Sequence, residues 1–294
     1  MSQALRASTI VPPALRPGDT VAVCAPAGPV PEARLAKGVA ILRARYRVSV
    51  GPGVLAATGY LAGDDQRRID ELNGLLRDPD VRAIACARGG YGIMRILPHL
   101  DAGALRADPK PIVGFSDVTA LLMWAWSQAG VRGVHGPVVA QLGELGVDDH
   151  ARLFEVLEHP DAPIELETSV IGVAGSVRGP LLGGNLSLLS HLVGTPYLPD
   201  LSGAVLLVED IGERPYAIDR YLTHLGLAGI LAGLAGMLVG DLVRCDESRA
   251  GFGPDALAVI DERLSQYQLA GRAGAPIGHG TRNRAFTLGT MVEL

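Results

Sequence analysis

Residues 111–124 read PIVGFSDVTALLMW, an apolar strand-like run that stops on Gly114, Phe115, Ser116 and Asp117 before a helix-like apolar pattern begins. Strand, sharp turn and helix together form the geometry that lifts a serine hydroxyl clear of a sheet, and Gly114-Phe115-Ser116-Asp117-Val118 resembles G-x-S-x-G with the last glycine replaced. A carbonyl attacked by such a serine would lie beside the exposed N–H groups of the new helix, donors that can stabilise a developing oxyanion. Ser and Asp are also preferred helix caps, and the segment taken alone is compatible with that simpler role.

A nucleophilic serine needs a base. The histidines are His99, His135, His150, His159, His191, His224 and His279, and no pair of them shows H-E-x-x-H or another metal-ligand spacing. His99, His191 and His224 fall in or beside helical stripes, while His150 and His159 lie among surface-like acidic residues. His279 sits in APIGHGTRN between two glycines, just after a short strand-like run. Glycines there let the backbone approach another element closely and hold a ring at an unusual angle, although an ordinary turn histidine fits the same pattern.

The base in turn needs an orienting acid. In AVLLVEDIGERPY an apolar run ends on Glu209 and Asp210, at the carboxyl end of a buried strand, where ligand sites collect. A carboxylate there can hold an imidazole in one tautomer and stabilise its charged form. Glu213 competes, nearer the following helix, and either acid could instead be a solvated loop residue. A fourth segment, CARGGYGIMRILPHLD, joins a strand to a helix through glycines without the G-x-G-x-x-G spacing of a dinucleotide site. Such a turn can offer backbone N–H groups to a substrate or oxyanion, and its Arg88 could meet a carboxylate or only pair with a neighbouring acid.

These residues need elements to hold them. DTVAVCAPAG, VRAIACA and PIVGF read as strands, PEARLAKGVAILRAR as a helix with Leu35, Val39 and Leu42 on one face. DDQRRIDELNGLLRDP is a second helix, with Asp64 or Asp65 as cap and Ile69, Leu72, Leu75 and Leu76 as its stripe. Continuous apolar strands alternating with helices predict a parallel sheet covered on both faces. After about residue 150 the pattern changes to a β-branched, glycine-rich stretch. Then NLSLLSHLVG, GAVLLVED, PYAIDRYLTHLG, GMLVGDLV and PDALAVIDERLSQY alternate helix and strand again. The expectation is an α/β protein of two domains: residues 1–164, with the parallel sheet and the serine, and a smaller α/β domain over residues 165–294, with the glutamate and histidine.

Composition excludes several classes. With 48% hydrophobic and 19% charged residues the chain reads as globular, not disordered. A net charge of −5 with scattered Lys and Arg gives no drive toward nucleic acid or an anionic membrane. The first residues, MSQALRASTIVPPALRPGD, lack the layout of a signal peptide, and GILAGLAGMLVGDLV is glycine-broken and shorter than the roughly 20 residues of a bilayer span. Cys24, Cys86 and Cys245 form no close pair and no zinc spacing, a reduced pattern that predicts the cytoplasm.

Taken in order, VAVCAPAGPV, ARGGYGIMRILPHLD, PIVGFSDVTALL, GVHGPVV, GPLLGGNLSLLSHLVGTPYLPD, VEDIGERPYAIDRYL and PIGHGTRN resemble the LD-carboxypeptidase family of serine peptidases, also called S66. The resemblance spans nearly the whole chain. It implies a triad of Ser116, Glu209 and His279, with an oxyanion hole made by the backbone N–H of Asp117 and one of Gly89 or Gly90. It implies a cleft between the two domains, a homodimer, no metal or organic cofactor, and release of terminal D-alanine from cytoplasmic murein tetrapeptides during wall recycling. Arg284-Ala285-Phe286 stands where the family often has an aliphatic residue and proline, which bears on the packing behind the histidine loop. The nearest rival is a related immunity peptidase cleaving aminoacyl-nucleotide antibiotics of the microcin C type. It would want an aromatic in the second domain, whereas Trp124 and Trp126 both follow Ser116. A non-catalytic α/β protein binding a solute is the rival from another class.

Overall fold

The apolar runs of the first half become five parallel strands: β1 (Thr20–Cys24), β2 (Arg47–Val50), β3 (Val81–Cys86), β4 (Ile112–Gly114) and β5 (Val134–His135), in the order β5-β4-β3-β1-β2. These positions come from a computed structural model that describes residues 9–246 and 254–293. Every residue of β4, and all but one each of β1 and β3, is buried, as strands covered on both faces must be. The turns after β1, β3 and β4 (APAG, RGGYG and FSD) leave neighbouring strands at their carboxyl ends.

The helix Asp65–Arg77 starts where its cap predicts: Asp64 accepts a hydrogen bond from the Arg67 N–H at 2.8 Å. Its buried face is not the purely apolar stripe of the sequence pattern. Arg68 is fully buried beside Leu72, Asn73 and Leu76. Its guanidinium donates to the carbonyls of Pro26 at 2.6 Å and Gly92 at 2.9 Å and pairs with Asp65, which is how a charged group tolerates the interior. The cysteines also need a correction. Cys24 and Cys86 are not close in sequence, but they face each other in register on β1 and β3 as buried free thiols. A hydrogen bond between Cys24 and Cys86, together with burial, pushes the Cys24 thiol well above its ordinary range.

The second half builds another sheet from β6 (Ser169–Gly172), β7 (Arg178–Asn185), β8 (Val205–Ile211), β9 (Gly236–Val243) and β10 (Ala270–Ala273). Strands β7, β8, β9 and β10 run parallel in that order, and β6 closes the edge antiparallel to β10. The last two strands divide. β11 (Phe286–Thr287) pairs antiparallel with β5 in the first sheet, whereas β12 (Met291–Glu293) pairs antiparallel with β7 in the second.

By its contacts the chain forms two compact units, one over Ser8–Ala162 with Arg284–Thr287, the other over Pro163–Asn283 with the residues from Leu288 onward. A second domain running without interruption from 165 has no place for this return. Its cause is local: Ala285 and Phe286 are fully buried, the Phe286 ring stacks on His135 with centroids 5.3 Å apart, and the Ala285 carbonyl accepts from buried Arg152 at 2.9 Å. The Arg-Ala-Phe departure therefore packs behind β5 of the first unit. Among the described residues no helix is long and apolar enough to cross a membrane.

Candidate active site

In the first unit, β4 runs into Ser116, whose φ of 63° lies in the left-handed region that residues with a side chain avoid. Such a conformation costs on the order of 1–3 kcal/mol and persists where the surroundings impose it, most often at functional turns. The helix Val118–Trp124 follows, and no side chain from Asp117 caps it. The carbonyls of Phe115, Ser116 and Asp117 instead take the N–H groups of Val118, Thr119 and Ala120 at 3.2, 2.9 and 3.1 Å.

The Asp117 carboxylate points elsewhere. It accepts the Ile93 N–H at 3.0 Å, tying the serine turn to the end of the RGGYG turn. Burial pushes its pKa up to about 6, against the lowering effects of the Ile93 N–H and of Arg68. Gly89 closes the same corner. A Cβ there would lie 2.8 Å from Ser116 Cβ, 2.9 Å from its Oγ and 3.4 Å from the Asp117 nitrogen. Only glycine allows this approach, and it lets the Gly89 backbone pack directly against the serine turn. Gly90, the other oxyanion candidate, takes φ 113° in the same turn. Trp124 is buried, and Trp126 lies under the Arg132 guanidinium at 5.8 Å.

In the second unit, Glu209 is wholly buried near the end of β8, and its Oε2 accepts from His279 Nδ1 at 2.6 Å. An ionised carboxylate can only accept, so Nδ1 is the donor in this pair. The imidazole is 15% exposed, and Glu209 Oε1 has no hydrogen-bond partner among the described residues. Glu213 is not part of this pair: it lies against Tyr221, where burial, with a smaller effect from Glu213 itself, raises the phenol to about 12. Asp210 faces away from the histidine, accepting from Asn185 and from the N–H groups of Ser187 and Ile211 at 2.8–2.9 Å. Burial and neighbouring Glu209 bring it to about 6.

The histidine loop is held at several points. Beside Glu209 the β8–β9 register shifts, Val208 facing Val239 but Asp210 facing Leu242, so that Gly240 and Asp241 occupy a bulge. From it the Asp241 N–H donates to the Ile277 carbonyl, and the Asp241 carboxylate accepts the Gly280 N–H, both at 2.9 Å. Burial raises the pKa of Asp241, and the Glu209 charge adds to the effect. Between them, Gly278 at φ 131° donates its N–H to buried Asn283 at 3.1 Å, and a Cβ on it would lie 2.8 Å from Glu209 Oε2. Sequence reasoning missed Asp241 and Asn283. The acid inside the apolar run GMLVGDLV, directly after a glycine, was the available signal for Asp241.

The unit holding Ser116 thus offers a serine in a strained turn packed against Gly89, and the other offers an imidazole oriented by a buried carboxylate. Among the described residues no group of three or more His, Cys, Asp or Glu is placed to hold a metal ion.

Two family models cover most of the chain: the LD-carboxypeptidase N-terminal domain matches residues 21–136 and the LD-carboxypeptidase C-terminal domain residues 178–294. A Bacillus subtilis (strain 168) protein described as "Probable murein peptide carboxypeptidase" is 34% identical over 292 residues, spanning 96% of this chain and 91% of that protein. The crystal structure of muramoyltetrapeptide carboxypeptidase from Oxalobacter formigenes superposes with a TM-score of 0.81 at 29% identity, covering 94% of both chains. The microcin C7 self-immunity protein MccF, solved with aspartyl sulfamoyl adenosine, gives a TM-score of 0.86 at 23% identity over 97% of this chain and 95% of its own, a likeness of fold.

Proposed function

The chain belongs to the LD-carboxypeptidase family and is a carboxypeptidase, and from that premise we propose that it is a serine hydrolase releasing the terminal D-alanine of murein tetrapeptides. The observation that carries the serine mechanism is the 2.6 Å bond from His279 Nδ1 to buried Glu209, which orients the imidazole as the base of a triad requires. Ser116 Oγ attacks the carbonyl of the penultimate L-centre as His279 Nε2 removes its proton. The N–H of Asp117 and one of Gly89 or Gly90 stabilise the oxyanion. His279 then protonates the departing amine of D-alanine, the C–N bond breaks, and water admitted through the same base hydrolyses the acyl-Ser116 ester. Glu209 keeps the imidazole in the required tautomer and stabilises it while charged.

The names of the Bacillus and Oxalobacter relatives support the murein peptide as substrate. We assign the reaction to the cytoplasm and to a homodimer, on the family resemblance. The test is release of D-alanine from L-Ala-γ-D-Glu-meso-diaminopimelyl-D-Ala by purified protein, with an aminoacyl sulfamoyl adenosine as the competing substrate. Release from the tetrapeptide by the wild type, and none by Ser116→Ala, is the expected result. Equal release by Ser116→Ala rejects the nucleophile, and cleavage of the sulfamoyl adenosine alone rejects the substrate.

A further inference from the structure

A carboxypeptidase tells a terminal bond from an internal one by the free carboxylate one residue beyond the scissile carbonyl. That carboxylate carbon is three bonds from the attacked carbon, within about 4 Å, so a group that reads it sits next to the oxyanion donors. Resting on the proposed function, we infer that Arg88 is the anchor for the terminal carboxylate of the substrate.

Four arginines touch the turns around Ser116 in this unit, and three are already engaged. Arg67 pairs with Glu71 at 3.3 Å and donates to the carbonyls of Ala25, Gly53 and Ala62 at 2.6–2.9 Å. Arg68 is buried against Asp65 and two carbonyls, and Arg95 binds the same Asp65 through both Nε and Nη2 at 2.7–3.0 Å. Arg88 differs. Its side chain is exposed, it forms no ion pair among the described residues, and its hydrogen bond is from Nη1 to the Pro29 carbonyl at 2.8 Å.

That single tether sets its place without neutralising it. The Gly28 N–H donates to the Gly89 carbonyl at 3.0 Å, joining the turn after β1 to the RGGYG turn, and a Cβ on Gly28 would lie 3.4 Å from Arg88 Nη1. The guanidinium is therefore fixed beside Gly28, one residue from the Gly89 whose backbone packs on Ser116. A guanidinium carries five donors in a rigid fork, so one spent on Pro29 leaves the fork able to take a carboxylate bidentately.

The experiment compares two substrates in each protein: the tetrapeptide with a free D-alanine carboxylate, and the same peptide ending in D-alaninamide. The wild type is expected to favour the acid, and Arg88→Gln to lower the acid-to-amide ratio of kcat/KM by roughly 10- to 100-fold, mainly through KM. Arg88→Lys, which keeps the charge but not the fork, falls between them. The ratio is internal to each variant, so partial misfolding does not move it. An unchanged ratio in Arg88→Gln, or a wild type indifferent to the amide, overturns the anchor while leaving the peptidase in place. A wild type that cleaves neither peptide, releasing no D-alanine from the acid and no D-alaninamide from the amide, overturns the function itself, and the anchor with it.

Discussion

His279 and Glu209, 70 residues apart in the chain, share one short hydrogen bond in which the carboxylate is fully buried and the imidazole reaches the surface. The pair is asymmetric: the acid is wholly buried, while the ring is partly exposed. Glu209→Gln preserves the shape but presents an amide that can donate to Nδ1, favouring the wrong tautomer. Its kcat should fall by about 10³- to 10⁴-fold with little change in melting temperature. Glu213→Gln, beside Tyr221, should cost less than about threefold. Steady-state D-alanine release separates the two, and the reverse ranking would mean that the wrong acid has been chosen.

Ser116 should show a trade of stability against activity. At φ 63° its side chain is strained, and Ser116→Ala keeps that strain while Ser116→Gly removes it. Urea denaturation should find Ser116→Gly more stable than Ser116→Ala by about 1 kcal/mol, with both inactive. A glycine variant less stable than the alanine variant would show that the turn is not strained.

Gly278 packs so closely on the acid that a methyl group cannot enter. Gly278→Ala would place carbon 2.8 Å from Glu209 Oε2 at φ 131°. The dyad must shift, and a misplacement near 1 Å costs on the order of 10²-fold in rate. Wild-type kinetics from this variant would refute the tight approach.

Asp117 makes stability depend on pH. Its native pKa of about 6 lies above the ordinary 3.8, so the native state holds its proton more tightly than the unfolded chain. The destabilisation from the buried charge is absent below pH 3.8, grows as pH rises through 6, and is complete above it. Asp117→Asn retains an acceptor for Ile93 and has no charge to bury. Its stability advantage over the wild type should widen by about 2 kcal/mol between pH 4 and pH 7.5. Denaturant unfolding at both values measures this, and a constant gap removes the buried charge as the cause.

Much of the architecture was legible because its signals are local. The run before Ser116 is apolar and short, the helix after it is continuous, and Asp64 stands where a cap must stand, so strand, turn and helix follow from neighbours in the chain. The acids at the end of GAVLLVED were visible for the same reason. What escaped was long-range: Arg68 occupies a stripe position as a charged residue because carbonyls from two other turns meet it there. Cys24 and Cys86 are neighbours only because β1 and β3 pair. Phe286 stacks on His135 because β11 pairs with β5.

The sequence by itself determined which residue types stand at the ends of which strands, since hydrophobic periodicity and turn chemistry act over a few residues. Only the tertiary structure decided that Glu209 and not Glu213 meets His279. That choice depends on a bulge in β9, a glycine at 278 and the Asp241 carboxylate, contacts whose energy exists only when distant segments are already packed together.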